Sequence, residues 1–265
     1  MTDTEKLHAF GAKVDFGQTA GDYATHRAGF PPAFFDLLTS RGFAAAGQDA
    51  VDLGCGTGTI ARGLAMLGLN VIGVDPAEAL LVQARALDEE AGVSITYRVG
   101  QAEQTGLPDD GFDLVTAGQC WHWFDRTKAA QEAKRLLRSD GRLLISHFDW
   151  LPQQGNVVAA TEALILQHNP DWAGAGGTGI YPEWLNDLAA AGFKQIETAS
   201  FDVAQPYSHE GWRGRIRASA GVAASLSEAE TAQFDSALAA LLAGEYPREP
   251  MQVPHRVWLT TSVAQ

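Results

Sequence analysis

The sequence predicts an α/β protein in which short buried strands alternate with helices. The main indication is the run VDLGCGTGT at residues 51–59, in which an apolar strand end leads into three closely spaced glycines. A helical pattern of apolar residues then extends from Ile60 to Leu67 and ends at Gly68. A second apolar strand ends in Asp75 and is again followed by a helical pattern. Repeated strand–helix units of this kind indicate a parallel sheet covered by helices.

The other elements follow the same alternation along the chain. A helix can begin at Pro31–Pro32 before the first strand, and Asp125 can cap another after the fourth strand. After the strand that ends at His147, irregular sequence extends as far as Gly179, and it predicts a flap or a plain linker. Strands are predicted at residues 71–75, 94–99, 112–116 and 141–147, and within the runs AGFKQIET and VPHRVWLTTS.

Composition limits the classes of partner. The 265 residues are 46% apolar and 19% charged, which is typical of a globular protein with a full core. The net charge of −13 argues against a nucleic-acid or anionic-membrane partner. The polar N-terminus does not look like a signal peptide, and no apolar run reaches membrane-spanning length. Two cysteines form no disulfide framework, so we expect a cytoplasmic location, with the oligomeric state left open.

The spacing of the glycines distinguishes between kinds of nucleotide-binding loop. The dinucleotide pattern G-x-G-x-x-G fails from Gly54, because Thr59 stands where the third glycine belongs, and it survives only in a loose alanine form. An acidic residue followed by G-x-G-x-G fits throughout, with Asp52 before Gly54, Gly56 and Gly58. This arrangement resembles motif I of the class I S-adenosylmethionine (SAM)-dependent methyltransferases.

The resemblance implies a fold, a cofactor and a reaction. The implied fold is a Rossmann-like, seven-stranded, mostly parallel sheet with a helical lid insertion. Residues 1–44 would form an N-terminal cap segment, residues 45–200 and 251–265 the SAM-binding core, and residues 201–250 a lid over the substrate. The implied reaction is methyl transfer from SAM to a small-molecule acceptor, with S-adenosylhomocysteine as product.

The candidate cofactor residues come from the strand ends and from the resemblance. Asp75 suits the two ribose hydroxyls, since a carboxylate accepts two hydrogen bonds at once. The family places an acid near the SAM ammonium, which here is Asp52, and commonly an aspartate where this chain has Gln101. An aromatic-and-arginine segment that closes over SAM in similar enzymes matches Tyr23 and Arg27. The full set of candidates is Tyr23, Arg27, Asp52, Gly54, Cys55, Gly56, Gly58, Asp75, Pro76, Gln101, Ala102, Glu103 and Gln119.

The segment QCWHWF follows the fourth strand and combines polar and aromatic residues. Parallel-sheet topology brings it to the edge at which the glycine loop lies. It resembles a subset of small-molecule methyltransferases that includes trans-aconitate methyltransferase-like proteins. We expect Gln119 at the cofactor and His122 as a general base for a hydroxyl or amine acceptor. Trp121 is a candidate substrate contact, although the aromatic residues can also anchor the next helix.

The predicted lid contains the other candidate substrate residues. Arg213 and Arg217 would share one helix face with Arg215 roughly opposite, and guanidinium groups suit carboxylates. An anionic acceptor is one interpretation of these arginines, and a solvated face paired with nearby glutamates is the other. His147 and His255 are weaker candidates for substrate contact. No metal site is expected.

Two other functions remain open on the sequence alone. A nicotinamide-dependent oxidoreductase is favoured by the strand–loop–helix turn and Asp75, but opposed by the glycine spacing. A SAM-binding protein without catalysis is the second alternative, because methyl transfer obliges no particular catalytic residue. The sequence does not identify the methyl acceptor.

Overall fold

A computed structural model describes residues 29–219, 221–222 and 225–265. Within this part of the chain seven strands form one sheet, in the order β3-β2-β1-β4-β5-β7-β6. The strands are β1 (Asp49–Leu53), β2 (Asn70–Asp75), β3 (Thr96–Val99), β4 (Phe112–Gly118), β5 (Leu137–Trp150), β6 (Lys194–Tyr207) and β7 (Met251–Val263).

Helices connect the strands of the sheet. Those described are α1 (Pro32–Ser40), α2 (Thr59–Met66), α3 (Glu78–Ala91), α4 (Arg126–Leu136), α5 (Val157–His168), α6 (Trp184–Ala190), α7 (His209–Arg217) and α8 (Glu228–Glu245). A short 3₁₀ helix, Trp121–Trp123, lies between β4 and α4. None of the helices in the described ranges is long and apolar enough to cross a membrane.

The sheet is mostly parallel. Strands β1, β2, β3, β4 and β5 pair in parallel. Strand β7 runs antiparallel to β5, because residue numbers fall along β7 as they rise along β5. Asp140 N–H donates to Ala264 O at 3.0 Å, and Leu151 N–H donates to Pro254 O at 2.9 Å. The predicted fold class is therefore confirmed.

Burial explains why β1 and β4 are central. Val51 and Leu53 of β1 and Leu114 and Val115 of β4 have no exposed surface. Parallel strands covered by helices on both faces read as such continuous apolar runs. The carboxyl ends of both strands point toward the glycine loop, so the core itself fixes the edge at which a ligand can bind.

The chain forms two compact units. The glycine-loop unit comprises residues 29–147, 181–200 and 257–265, and the α7–α8 unit comprises, among described residues, 148–180 and 201–256. The predicted lid, residues 201–250, falls within the α7–α8 unit, which also contains residues 148–180, and its role as a lid stays a prediction.

Helix α5 lies where the sequence indicated irregular structure. Its buried face includes the polar Thr161 and Glu162 beside Val157, Val158 and Ile165, and Leu166 is exposed, so the apolar helical period is weak in the sequence. Its start did carry a signal, because the Asn156 side chain accepts a hydrogen bond from Ala159 N–H at 2.9 Å. Trp172, in the predicted flap, is buried.

Candidate cofactor and acceptor site

The loop between β1 and α2 depends on backbone conformations that favour glycine. Gly54, Gly56 and Gly58 have φ angles of 63°, 54° and 78°. Gly58 N–H donates to Cys55 O at 2.8 Å and closes the turn. Side chains with a Cβ are strained in this left-handed region, so all three glycines are required by the turn itself.

The three glycines nevertheless face different surroundings. A Cβ on Gly54 would lie 2.9 Å from Cys120 Sγ, and the Tyr97 hydroxyl occupies the space that a Gly58 Cβ would take. A Cβ on Gly56 would meet no described atom within 4 Å. Only at Gly56 does the bare backbone face open space, and this is the feature that a close-approaching ligand needs.

Asp52 lies at the carboxyl end of β1 and is almost fully buried. Its Oδ2 accepts a hydrogen bond from Ala61 N–H at 3.2 Å, and its Oδ1 accepts one from the Thr116 hydroxyl at 2.7 Å. Burial raises the pKa of Asp52 to about 7, against the opposing effect of these two hydrogen bonds. A cation nearby would favour the ionised carboxylate. Sequence reasoning missed Thr116, although the parallel pairing of Asp52 with Thr116 would have indicated it.

Asp75 ends β2 at the same edge of the sheet. Its Oδ2 accepts from Gly56 N–H and its Oδ1 from Ala77 N–H, both at 2.8 Å. Burial raises the pKa of this carboxyl group. Each carboxylate oxygen has a further lone pair, so two ribose hydroxyls can still donate to Asp75. The following Pro76 is exposed, and α3 begins at Glu78 rather than at the predicted proline.

Cys55 contributes backbone rather than a reactive thiol. Its N–H donates to Val74 O at 3.1 Å, which ties the loop to β2. The side chain is buried, and a Cβ on Gly73 would lie 2.9 Å from its sulfur. Burial raises the pKa of the Cys55 thiol, and the nearby Asp52 acts in the same direction. A thiol in this setting stays protonated and unreactive.

The segment after β3 is held in place by its own contacts. Gln101 is exposed and forms a bridge with Gln104, whereas Ala102 is buried. Glu103 Oε1 accepts a hydrogen bond from Asp125 N–H at 2.8 Å, at the start of α4. Of the three candidates here, Gln101 is the one whose side chain is exposed, and Glu103 connects this segment to α4.

The segment after β4 contains a backbone outlier and a core residue. Gln119 has a φ of 63°, and its N–H donates to Ser146 O at 2.8 Å. Left-handed residues other than glycine occur preferentially at functional sites. Trp121 is fully buried, and its indole N–H donates to Asp187 Oδ2 at 3.0 Å. The expected substrate contact at Trp121 is thus replaced by a core position, because a side chain with no exposed surface offers nothing to a ligand.

Two histidines lie close together, His122 in the 3₁₀ helix after β4 and His147 near the carboxyl end of β5. The rings of His122 and His147 have centroids 5.2 Å apart, and His122 is 4.6 Å from Trp123. Tyr181 packs 4.5 Å from His147 and stacks on Trp184 at 4.2 Å. His147 is buried, whereas His122 is partly exposed. His122 is therefore the more accessible of the two imidazoles.

The α7–α8 unit places the predicted arginine pair against carboxylates. Arg213 and Arg217 do share one face of α7, as their spacing predicts. Arg213 Nε donates to Asp235 Oδ1 at 3.0 Å, and Arg217 Nη1 donates to the same oxygen at 2.7 Å. Both also pair with Glu210, at 2.9 Å and 2.8 Å. The face expected to recognise a substrate anion therefore binds acidic residues of the protein itself.

His255 and Arg215 belong to a different face of the same unit. His255 is buried against Phe148, and its Nδ1 lies 3.0 Å from Val253 O. Burial lowers the pKa of His255 to about 4, and the charge of Arg215 acts in the same direction. The Arg215 guanidinium lies 4.8 Å over the ring of Trp150. The candidates Tyr23 and Arg27 lie outside the described residues.

Comparison with known proteins is consistent with this geometry. Residues 51–145 match the methyltransferase domain family. An uncharacterized methyltransferase of Mycobacterium tuberculosis is 33% identical over 151 residues, which cover 55% of this chain and 59% of that protein. A ubiquinone biosynthesis O-methyltransferase of Xanthomonas oryzae is 27% identical over 190 residues, 71% of this chain and 77% of that one. The chain thus spans less than two thirds of the mycobacterial relative.

A solved structure shows the shared fold. Haemonchus contortus phosphoethanolamine N-methyltransferase 2, in complex with phosphomonomethylethanolamine and S-adenosylhomocysteine, has a TM-score of 0.56 at 19% identity. The match covers 97% of this chain and 59% of that chain. The match to the methyltransferase domain family spans residues 51–145, which include the glycine loop, and the solved structure shows that the chain shares its fold.

Proposed function

We propose that this protein transfers a methyl group from SAM to a small-molecule acceptor. The observation that carries the proposal is the open face of Gly56 beside the buried Asp75 carboxylate, which accepts the Gly56 N–H at 2.8 Å. Bare backbone and a ribose-binding acid at one point of the loop are what a nucleoside cofactor requires. The residues present therefore fit SAM.

Each part of the cofactor has candidate residues. The Gly56 face and Asp52 suit the amino-acid part, Asp75 suits the ribose, and the exposed Gln101 amide suits the adenine. When bound, SAM supplies a methyl group already activated by a positive sulfur. The protein's task is then to align the acceptor and exclude water, and positioning of this kind can contribute about 7–11 kcal/mol.

His122 is the proposed base for a hydroxyl or amine acceptor. Its ring is partly exposed, and the centroids of the Trp123 and His147 rings lie 4.6 Å and 5.2 Å away. A neutral imidazole in this position can take the proton that such an acceptor loses, which contributes roughly 10²–10⁴-fold to the rate. A carboxylate acceptor would need no base, so His122 would then only shape the pocket.

The contacts of α7 do not support recognition of an anionic acceptor by Arg213 and Arg217, because both arginines bind Asp235 and Glu210. The chemical class of the acceptor is therefore left to the assay with several kinds of metabolite.

Binding and turnover together test the proposal. Isothermal titration with SAM, S-adenosylhomocysteine and NAD distinguishes a methyltransferase from an oxidoreductase, and we expect binding of the first two alone. Labelled-methyl transfer to a panel of hydroxyl, amine and carboxylate metabolites then tests catalysis. Binding of SAM without transfer to any acceptor would favour a non-catalytic SAM-binding protein, and binding of NAD alone would overturn the proposal.

A further inference from the structure

Behind the glycine loop, Arg62 of α2 connects the loop to α3. Its Nη2 donates to Thr57 O at 2.8 Å and to Ala84 O at 3.2 Å, and its Nε donates to Asp88 Oδ1 at 2.8 Å. Its backbone N–H donates to Gly58 O, also at 2.8 Å. The guanidinium group therefore ties one loop carbonyl, that of Thr57, to the neighbouring helix, whereas the bond to Gly58 belongs to the first turn of α2.

Tyr97 closes the loop from another direction. Its hydroxyl occupies the space in which a Gly58 Cβ would lie, and its ring packs 2.6 Å from the position of a Gly73 Cβ. The charge of Arg62 and the ring of Tyr97 thus meet at Gly58. The contacts described here lie at residues 57 and 58, whereas the space around Gly56 stays open.

The energetics favour a geometric role for this ion pair. The side chains of Arg62 and Asp88 are only 15% and 6% exposed, so both charges have lost most of their hydration. Attraction within a buried pair roughly offsets that loss, and such pairs contribute little net stability. Successive left-handed glycines are also the most flexible backbone available. A fixed guanidinium removes this freedom before a ligand arrives, which raises affinity by lowering the cost of ordering.

We propose that Arg62 is a positioning residue for the cofactor, which holds the loop so that the Gly56 backbone faces SAM. Arg62 acts through its guanidinium contact with the Thr57 carbonyl group rather than by contact with the ligand. The inference rests on the proposed function, since it assumes that the loop binds SAM. It assigns a binding role to a residue outside the glycine motif.

The test compares two arginines that make similar contacts at opposite edges of the sheet. Arg135 of α4 likewise binds carboxylates, Glu132 of its own helix and Asp109, and one loop carbonyl, Leu107 O at 2.8 Å. Arg62→Lys keeps the charge but loses the planar fork that reaches Thr57, Ala84 and Asp88 together. We expect the Kd for SAM and S-adenosylhomocysteine to rise about tenfold to a hundredfold. Arg135→Lys should lower Tm about as much as Arg62→Lys does. It should leave both Kd values within twofold of the wild type.

A second variant keeps the proposal testable where Arg62→Lys folds poorly. The double variant Arg62→Leu/Asp88→Leu removes both buried charges and should fold, yet it should show the same loss of SAM affinity. Wild-type affinity in either folded variant would overturn the positioning role and leave the proposed function intact. A wild-type protein that binds no SAM would instead overturn the proposed function, and this inference with it.

Discussion

Strand β1 carries an aspartate near each end, and the two carboxylates are held in opposite ways. Asp49, at the amino end, receives Arg138 Nη2 at 2.8 Å, and this hydrogen bond lowers the pKa of Asp49. Asp113 of the neighbouring β4 binds the same guanidinium at 2.7 Å. Asp52, at the carboxyl end, is bound by a backbone N–H and a hydroxyl, and burial raises its pKa to about 7.

The difference separates structural acids from acids arranged for a ligand. At the amino edge each charge meets an opposite charge, so Asp49 and Asp113 are satisfied without any partner molecule. At the carboxyl edge the described residues provide Asp52 and Asp75 with neutral donors alone. Buried acids without a cation cost stability, and groups perturbed in this way concentrate at functional sites. The predictions below test the carboxyl edge as a ligand site.

The largest effect is expected from valine at Gly56. The new side chain would fill the open space at the loop, so SAM binding should fall below detection in isothermal titration. Gly47→Val is the matched control, because Gly47 also has a positive φ, of 85°, and nothing within 4 Å of its Cβ position. Both variants should lose stability through backbone strain, but Gly47→Val should bind SAM normally. Tight SAM binding by a folded Gly56→Val variant would contradict this placement of the cofactor.

Replacement of His122 by alanine should act on turnover rather than binding. Loss of a base lowers kcat by roughly 10²–10⁴-fold for a hydroxyl or amine acceptor, while the Kd for SAM stays unchanged. His168→Ala, on α5, serves as the control and should leave kcat as it is. Unaltered turnover in the His122 variant, on such an acceptor, would make His122 part of the pocket wall.

Asp75→Asn should weaken SAM binding by about tenfold to a hundredfold. The amide keeps the shape of the side chain but loses the charge that strengthens its hydrogen bonds to ribose hydroxyls. Asp49→Asn, at the other edge, should lower Tm by disturbing the Arg138 contact and leave the Kd unchanged. Equal Kd changes in the two variants would remove the distinction between the edges.

The pH dependence of SAM binding should report the ionisation of Asp52. With a pKa of about 7, roughly a tenth of the carboxyl groups are ionised at pH 6 and nine tenths at pH 8, so affinity for cationic SAM should be about tenfold weaker at pH 6. Asp52→Asn should abolish this dependence. If the SAM affinity of the Asp52→Asn variant still depends on pH, the titration belongs to another group.

The same group predicts how stability varies with pH in the absence of ligand. The folded protein keeps the Asp52 proton up to pH about 7, whereas the unfolded chain releases it near pH 4. The contribution of Asp52 is therefore complete below pH 4 and is lost as the pH rises toward 7. Urea unfolding of the wild type and Asp52→Asn at pH 5 and pH 8 measures this difference.

Local sequence was sufficient for the glycine loop and its acids. Gly54, Gly56 and Gly58 adopt the left-handed turn that their spacing indicates, and Asp75 ends β2 beside them. These features depend on residues that are close in the chain or on the common edge of parallel strands. The strand order depends on contacts between distant segments. Its prediction came from the resemblance to a family rather than from the residues themselves.

Contacts between distant segments could not be derived in the same way. Helical spacing placed Arg213 and Arg217 on one face, but Asp235, which binds both, lies on another helix. Trp121 was a candidate substrate contact with a core position as the alternative, and Asp187, which accepts its indole N–H, lies on a later helix. Amphipathic patterns predict which residues share one face of a helix or strand. The residues that this face contacts depend on tertiary packing.

Gln119 has a consequence for how this position can change during evolution or engineering. A glutamine with a φ of 63° holds its backbone in a region that glycine occupies without penalty, and Asn or Asp more easily than most residues. Gln119→Gly should therefore raise the free energy of unfolding by about 1 kcal/mol while removing an amide from the end of β4. A selection for thermal stability alone would thus favour glycine here, and a selection for activity would keep the glutamine. Stabilised variants of this protein should accordingly be screened first for SAM binding and methyl transfer at this position.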